Sequence, residues 1–161
     1  MTDGLSRIER MLIEHECAQL VRHSLNLSDA RAYDRLVDLF TEDAVMIRPS
    51  MPDCPLMGRV AIAADYAARP TDRLTFHICS NVVITALSQT RAEAYCHVLL
   101  YSAVDDPASD VLPTAAPAQF AGAYQDVLVR QDEGWRFQAR TGRMILRTWH
   151  PPVGQNRPQA T

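Results

Sequence analysis

A histidine and an amide share one face of a strand that is otherwise apolar. In the segment RLTFHICSNVVI, residues 73–84, alternation puts Leu74, Phe76, Ile78, Val82 and Ile84 on one side. Thr75, His77, Cys79, Asn81 and Val83 fall on the other. Such a face is either a satisfied polar patch within a core or the wall of a cavity where a titratable base works. A general base needs a partner that fixes its tautomer, most simply a carboxylate on one ring nitrogen. Asp29, where the chain enters a helical segment, is the leading candidate for that partner to His77. The plainer alternative makes Asp29 a helix N-cap and His77 a hydrogen-bonded core histidine. Spacing alone favours the plainer one.

Other residues invite the same double reading. Asn81 reads first as a hydrogen-bonding strand residue and second as a substrate contact. Cys96, Val98, Leu100 and Ser102 form one face of the following strand and either line a pocket or fill ordinary core. Tyr124 and Asp126 share a strand face and could donate and accept hydrogen bonds in a cavity. His97 lies on the face opposite Cys96, where an oligomer interface suits it better than catalysis. His15, His23 and His150 read as helix-surface or tail residues. Cys17, Cys54, Cys79 and Cys96 form no CxxC pair, so no zinc site is expected and the thiols are read as reduced and mostly buried.

The elements that must position these groups divide the chain in two. Residues 5–25 show helical spacing of Leu5, Ile8, Leu12 and Leu20, and DARAYDRLVDLF forms a second helix on Tyr33, Leu36, Val37 and Phe40. Ser28 or Asp29 is a natural cap for that second helix. A short strand at 44–48, a proline-containing loop MPDCPLMG and a third helix at 58–69 follow. Beyond Pro70 the period changes to two, with strands expected at 73–86, 90–104, 118–131 and 135–148. Hairpin turns fall at SQ and DEG, while residues 105–117 form a long loop, either a lid or a hairpin tip. Three helices followed by a long antiparallel meander predict an α+β domain over residues 1–150, with an internal pocket between helices and curved sheet and an unstructured tail at 151–161.

Bulk properties narrow the function. A chain of 161 residues can bury about 70% of its unfolded surface in one core. A net charge of −3 with no basic run argues against nucleic-acid or acidic-membrane partners. No apolar stretch is long enough to span a bilayer, and the N-terminus lacks the apolar core of a signal peptide, so a cytoplasmic location is expected.

The segments LSDARAYDRLVDLFTEDAVM, TFHICSN and YQDVLVRQDEGWRFQAR resemble the SnoaL-like branch of the nuclear transport factor 2 superfamily. Among its members the chain resembles scytalone dehydratase, the lindane dehydrochlorinase and bile-acid 7α-dehydratase. The resemblance covers roughly residues 5–148. It implies a cone-shaped barrel of curved, mostly antiparallel sheet packed against three N-terminal helices. It also implies catalytic roles for three residues: His77 as base, Asp29 as its orienting carboxylate, and Arg140, five residues after Trp135, as a stabiliser of negative charge. Where relatives carry a lysine, a tyrosine and a second histidine, this chain has Ser24, Ser28 and Ser102. The resulting expectation is a lyase of dehydratase or eliminase type, without metal or other cofactor, acting on a small, largely apolar cyclic or aromatic-type substrate. Isomerisation or polyketide cyclisation in the same pocket, or a non-catalytic binding or assembly role like that of dioxygenase β subunits, are the alternatives. A homodimer or homotrimer is expected, burying Tyr95, His97, Leu99 and Tyr101 on the sheet face away from the helices.

Overall fold

The structure, a computed structural model, describes residues 4–116 and 118–149. The chain runs α1 (Arg7–Asp29), α2 (Tyr33–Val37), β1 (Phe40–Arg48), β2 (Met51–Met57), α3 (Arg59–Ala67), β3 (Arg73–Ala86), β4 (Arg91–Val104), β5 (Ala118–Gln131) and β6 (Gly134–Trp149). The six strands form one sheet in the order β2-β1-β6-β5-β4-β3. Only β1 and β6 pair in parallel; all other neighbours are antiparallel. The α+β architecture is as expected, a curved sheet packed against three helices; among the described residues β2 and β3 are its edges, so the sheet is open. Among the described residues no helix is long and apolar enough to cross a membrane. The tail at 151–161 and His150 lie outside the described residues.

Helix α1 starts on a capping box: Ser6 Oγ accepts from the Glu9 amide and the Glu9 carboxylate accepts from the Ser6 amide. Its buried stripe is Ile13, Cys17, Val21 and Leu25, a strict four-residue repeat laid on the sheet. The stripe predicted from leucines and isoleucines is therefore corrected, since Ile8 and Leu12 are exposed. The helix also continues four residues past its expected end. No glycine or proline interrupts LNLSDA, so helical hydrogen bonding persists to Asp29.

A Schellman turn stops it there. The Ala32 amide donates to the Leu27 carbonyl and the Arg31 amide to the Ser28 carbonyl, with Arg31 in the left-handed region at φ 54°. Asp29 is thus the last residue of α1, and the expectation that Ser28 or Asp29 caps the second helix fails. That helix is one short turn whose N-cap, Ala32, has no side-chain bond to give. Phe40, expected on its face, instead opens β1 and packs on Phe137 with ring centroids 5.1 Å apart.

Residues 51–57, expected as loop, form the edge strand β2. Pro52 and Pro55 are tolerated because an edge strand leaves one side of its ladder unpaired. The chain enters α3 through Gly58, whose φ of 84° favours glycine and whose amide donates to the Ala44 carbonyl. The four long strands match their predicted spans to within a residue or so.

One irregularity changes which residues face inward. Ser80 pairs with His97, yet Val83 pairs with Tyr95, so one extra residue bulges from β3 at Asn81, itself at φ 50°. Before the bulge Thr75, His77 and Cys79 face the helices; after it Val82, Ile84 and Ala86 do. The simple alternation of 73–84 is therefore broken midway. Asn81 leaves the His77 face, and its amide meets His97 Nδ1 at 3.0 Å. The outer face carries Phe76 beside Tyr101 and Ile78 beside Leu99, and Tyr95 packs edge-on against His97.

Candidate active site

The end of α1 and the inner face of β3 converge on one carboxylate. Asp29 Oδ1 lies 2.5 Å from His77 Nδ1 and accepts from Thr75 Oγ1 at 2.9 Å. Its Oδ2 accepts the His77 backbone amide at 2.8 Å. Two residues of one strand, spaced by two, thus grip a group that the Schellman turn holds at the helix terminus. Burial pushes the Asp29 carboxyl up, but the bonds from the His77 ring and amide, the imidazolium charge and Thr75 outweigh it, so its pKa falls below the ordinary value. An ionised Asp29 fixes the proton on Nδ1 and leaves Nε2 as the free nitrogen. Among the described residues no side chain or backbone group bonds Nε2. The His77 side chain is only 9% exposed, yet it lines a cavity.

That cavity, of about 520 Å³, lies between the helices and the concave sheet. Its buried floor is formed by Ser24, Leu25, Met46, Tyr66, Ala123 and Arg140, with Val98 and Leu100 on the β4 wall. Exposed lining residues, among them Ser50, Pro70, Arg73, Arg143 and Met144, mark its mouth. The size suits a drug-sized or smaller ligand.

Arg140 is 2% exposed and fully committed to structure on one side. Its Nε and Nη2 donate to the two oxygens of Asp126, each at 2.8 Å, and Nη1 donates to Ser24 Oγ at 2.9 Å. Three of the five guanidinium N–H bonds are used, which leaves two. Its plane stacks over Tyr124 at 4.6 Å and Phe137 at 4.0 Å. Burial alone would lower the Arg140 pKa, but the adjacent Asp126 carboxylate more than reverses this and the guanidinium stays charged. Burial pushes the Tyr124 phenol up to about 12, and it also raises that of Tyr66, so both are neutral hydroxyls at physiological pH. Tyr124 owes its seat to Gly142, where a β-carbon would come within 2.8 Å of the tyrosine ring.

Of the residues singled out from sequence, His77, Val98, Leu100, Tyr124 and Arg140 line this one cavity, with Asp29 directly behind His77. Three do not. Asn81 is carried to the outer face by the bulge. Ser102 lines a smaller neighbouring cleft with Thr114 and Ala116 of the 105–116 segment. Asp126 sits behind Arg140 as its counter-ion and offers the cavity nothing. Sequence reasoning missed Thr75 as a ligand of Asp29, Ser24 as a partner of Arg140, and the rim arginines Arg48, Arg69, Arg73 and Arg143. Thr75 was legible, since it shares the inner face of β3 with His77. Ser24 and Arg140 stand 116 residues apart, and no local pattern links them. Among the described residues no cluster of three or more His, Cys, Asp or Glu side chains is arranged to hold a metal ion.

The sequence profile of the SnoaL-like domain matches residues 9–141. No curated protein matches the chain in sequence. Solved structures do match in fold. A candidate scytalone dehydratase from Novosphingobium aromaticivorans is 22% identical, with a TM-score of 0.72 over 91% of this chain and 97% of that one. A type 2 hexachlorocyclohexane dehydrochlorinase is 18% identical, with a TM-score of 0.73 over 96% and 100% of the two chains. ActVI-ORFA from Streptomyces coelicolor is 21% identical, with a TM-score of 0.64 over 82% and 96%. At these identities the likeness establishes the fold.

Proposed function

Because the chain belongs to the SnoaL-like family, we propose that its cavity houses a lyase of the dehydratase or eliminase type, working through Asp29 and His77 on a small cyclic substrate without a cofactor. The observation that carries this reading is the dyad itself: a carboxylate 2.5 Å from Nδ1, with Nε2 free on a ring that lines the cavity. His77 Nε2 takes a proton from carbon beside an activating carbonyl. The C–H electrons become the new double bond, and the C–O bond to a β-hydroxyl breaks. The imidazolium returns the proton to the departing oxygen as water, which restores the base. Asp29 stabilises the imidazolium and holds the ring in place. The Tyr124 hydroxyl and the two uncommitted N–H bonds of Arg140 are the donors available to an oxygen on which negative charge develops. Because Asp126 already neutralises Arg140, that residue acts as a hydrogen-bond donor and not as an unbalanced charge.

Similarity to a candidate scytalone dehydratase and to a dehydrochlorinase supports elimination. The same base would equally serve an isomerase or cyclase, and the likeness to ActVI-ORFA keeps that second reading in view. A purely binding or assembly module has no use for a paired Asp29 and His77. Assembly belongs to the same proposal: the outer strand face with Tyr95, His97, Leu99 and Tyr101, flanked by exposed Phe76 and Ile78, forms the contact of a homodimer or homotrimer in the cytoplasm. The test is turnover of a panel of cyclic β-hydroxy ketones, followed by enone absorbance, by the native chain and by His77→Gln.

A further inference from the structure

The cavity rim is basic although the protein as a whole is acidic, with a net charge of −3. Arg48, Arg69, Arg73 and Arg143 all line it, and among the described residues Asp65 is the one carboxylate that does. Asp65 is shared, forming an ion pair with Arg48 and lying 3.7 Å from Arg69. Among the described residues neither Arg73 nor Arg143 pairs with any carboxylate. Among the described residues Arg48 Nε is buried without a hydrogen-bond partner, a costly condition for a guanidinium N–H. Arg69 is held with its guanidinium 4.0 Å over the Tyr66 ring, a contact that orients the group without neutralising it. On the floor the balance is different: Arg140 is matched by Asp126, and the carboxylate of Asp29 lies behind the His77 ring.

Positive charge is therefore concentrated at the mouth, while the deep part has no uncompensated cation and mixes apolar walls with a few hydrogen-bonding groups. From this we infer that the substrate carries a carboxylate, bound by the rim arginines, on an apolar ring that reaches down to His77. The inference rests on the reading of the cavity as a substrate pocket and adds the class of substrate it takes. A guanidinium presents paired N–H donors that match the two oxygens of a carboxylate, and low-dielectric walls focus the field of several such groups into the opening. The acid group stays at the mouth and the reacting carbon lies deeper, so the proton removed is not the one beside the carboxylate.

A matched pair of ligands tests this on the full chain: naphthalene-2-carboxylate and naphthalene-2-carboxamide, equal in shape and differing in charge, titrated by calorimetry. The acid is expected to bind about tenfold more tightly at low salt, with the preference shrinking as ionic strength rises. The double variant Arg73→Gln, Arg143→Gln is expected to lose most of that preference while binding the amide as before. Equal affinities in the native chain, no binding of either compound, or an unchanged preference in the double variant overturns the inference. Displacement of the acid by an equimolar amount of inorganic phosphate would mark a free-anion site and overturn it too. His77→Gln is expected to keep the preference, so a failure of the proposed chemistry is read separately from a failure at the rim.

Discussion

Asp29 holds His77 at two points, with one oxygen 2.5 Å from ring Nδ1 and the other accepting the backbone amide of the same residue at 2.8 Å. An N-cap of the second helix explains neither bond. Replacing Asp29 by Asn keeps the shape but removes the anion beside the imidazolium, which disfavours the charged ring. The expected result is a smaller loss of rate than for His77→Gln and a rising limb of the pH–rate profile displaced to lower pH. Stability should change in a defined window as well. The carboxyl titrates below its ordinary value of 3.8 in the fold, so its contribution is complete above that pH and is lost as the pH falls through the folded value. Denaturant midpoints measured across that range should depend less steeply on pH in Asp29→Asn.

The turn that presents Asp29 is built on a strained residue. Arg31 adopts φ 54°, a conformation that costs a side-chain-bearing residue roughly 1–2 kcal/mol and costs glycine little. Its ion pair with Asp105, at 3.6 Å and with both side chains about one-third exposed, is worth little. Arg31→Gly should therefore raise stability by roughly 1 kcal/mol in chemical denaturation. Lower stability would show that the cation matters more than the turn.

Under the cavity floor, Asp126 and Arg140 are both nearly sealed from solvent. Asp126→Asn leaves a buried guanidinium without its counter-ion and should cost about 3–5 kcal/mol of stability. Asp126→Leu combined with Arg140→Met should recover much of that, because an apolar pair of similar size removes both charges together. Thermal unfolding of the two variants decides the matter, with the double variant melting higher than Asp126→Asn.

The outer sheet face should bury on the order of 1,200 Å² or more when copies associate. Sedimentation at micromolar concentration is expected to show a dimer or trimer. Tyr101→Arg, placed beside Phe76 in the neighbouring strand, should shift it toward monomer. A native chain that sediments as a monomer contradicts this.

The sequence made the long strands legible because alternation over some fourteen residues leaves little ambiguity, as β3, β4 and β5 show. It also made His77 and Asp29 legible, one by its place on an apolar strand and both by family resemblance. What it concealed follows from physics that is not local. The bulge at Asn81 depends on how β3 meets β4, and a one-residue slip there sent Asn81 to the opposite face. The extension of α1 to Asp29 depends on a Schellman turn formed without glycine, which removes its usual signature. Asp126 looked like a cavity residue because strand parity cannot tell an inward carboxylate that meets substrate from one that meets an arginine.

Proton removal by His77 is checked by kcat for His77→Gln on the substrate found in the panel, with circular dichroism confirming the fold. General-base catalysis typically contributes about 10²–10⁴-fold, so a loss of that order is predicted, with a flat pH–rate profile where the native enzyme rises. A folded His77→Gln that turns over at near the native rate would show that His77 is not the base and leave a binding module as the better description.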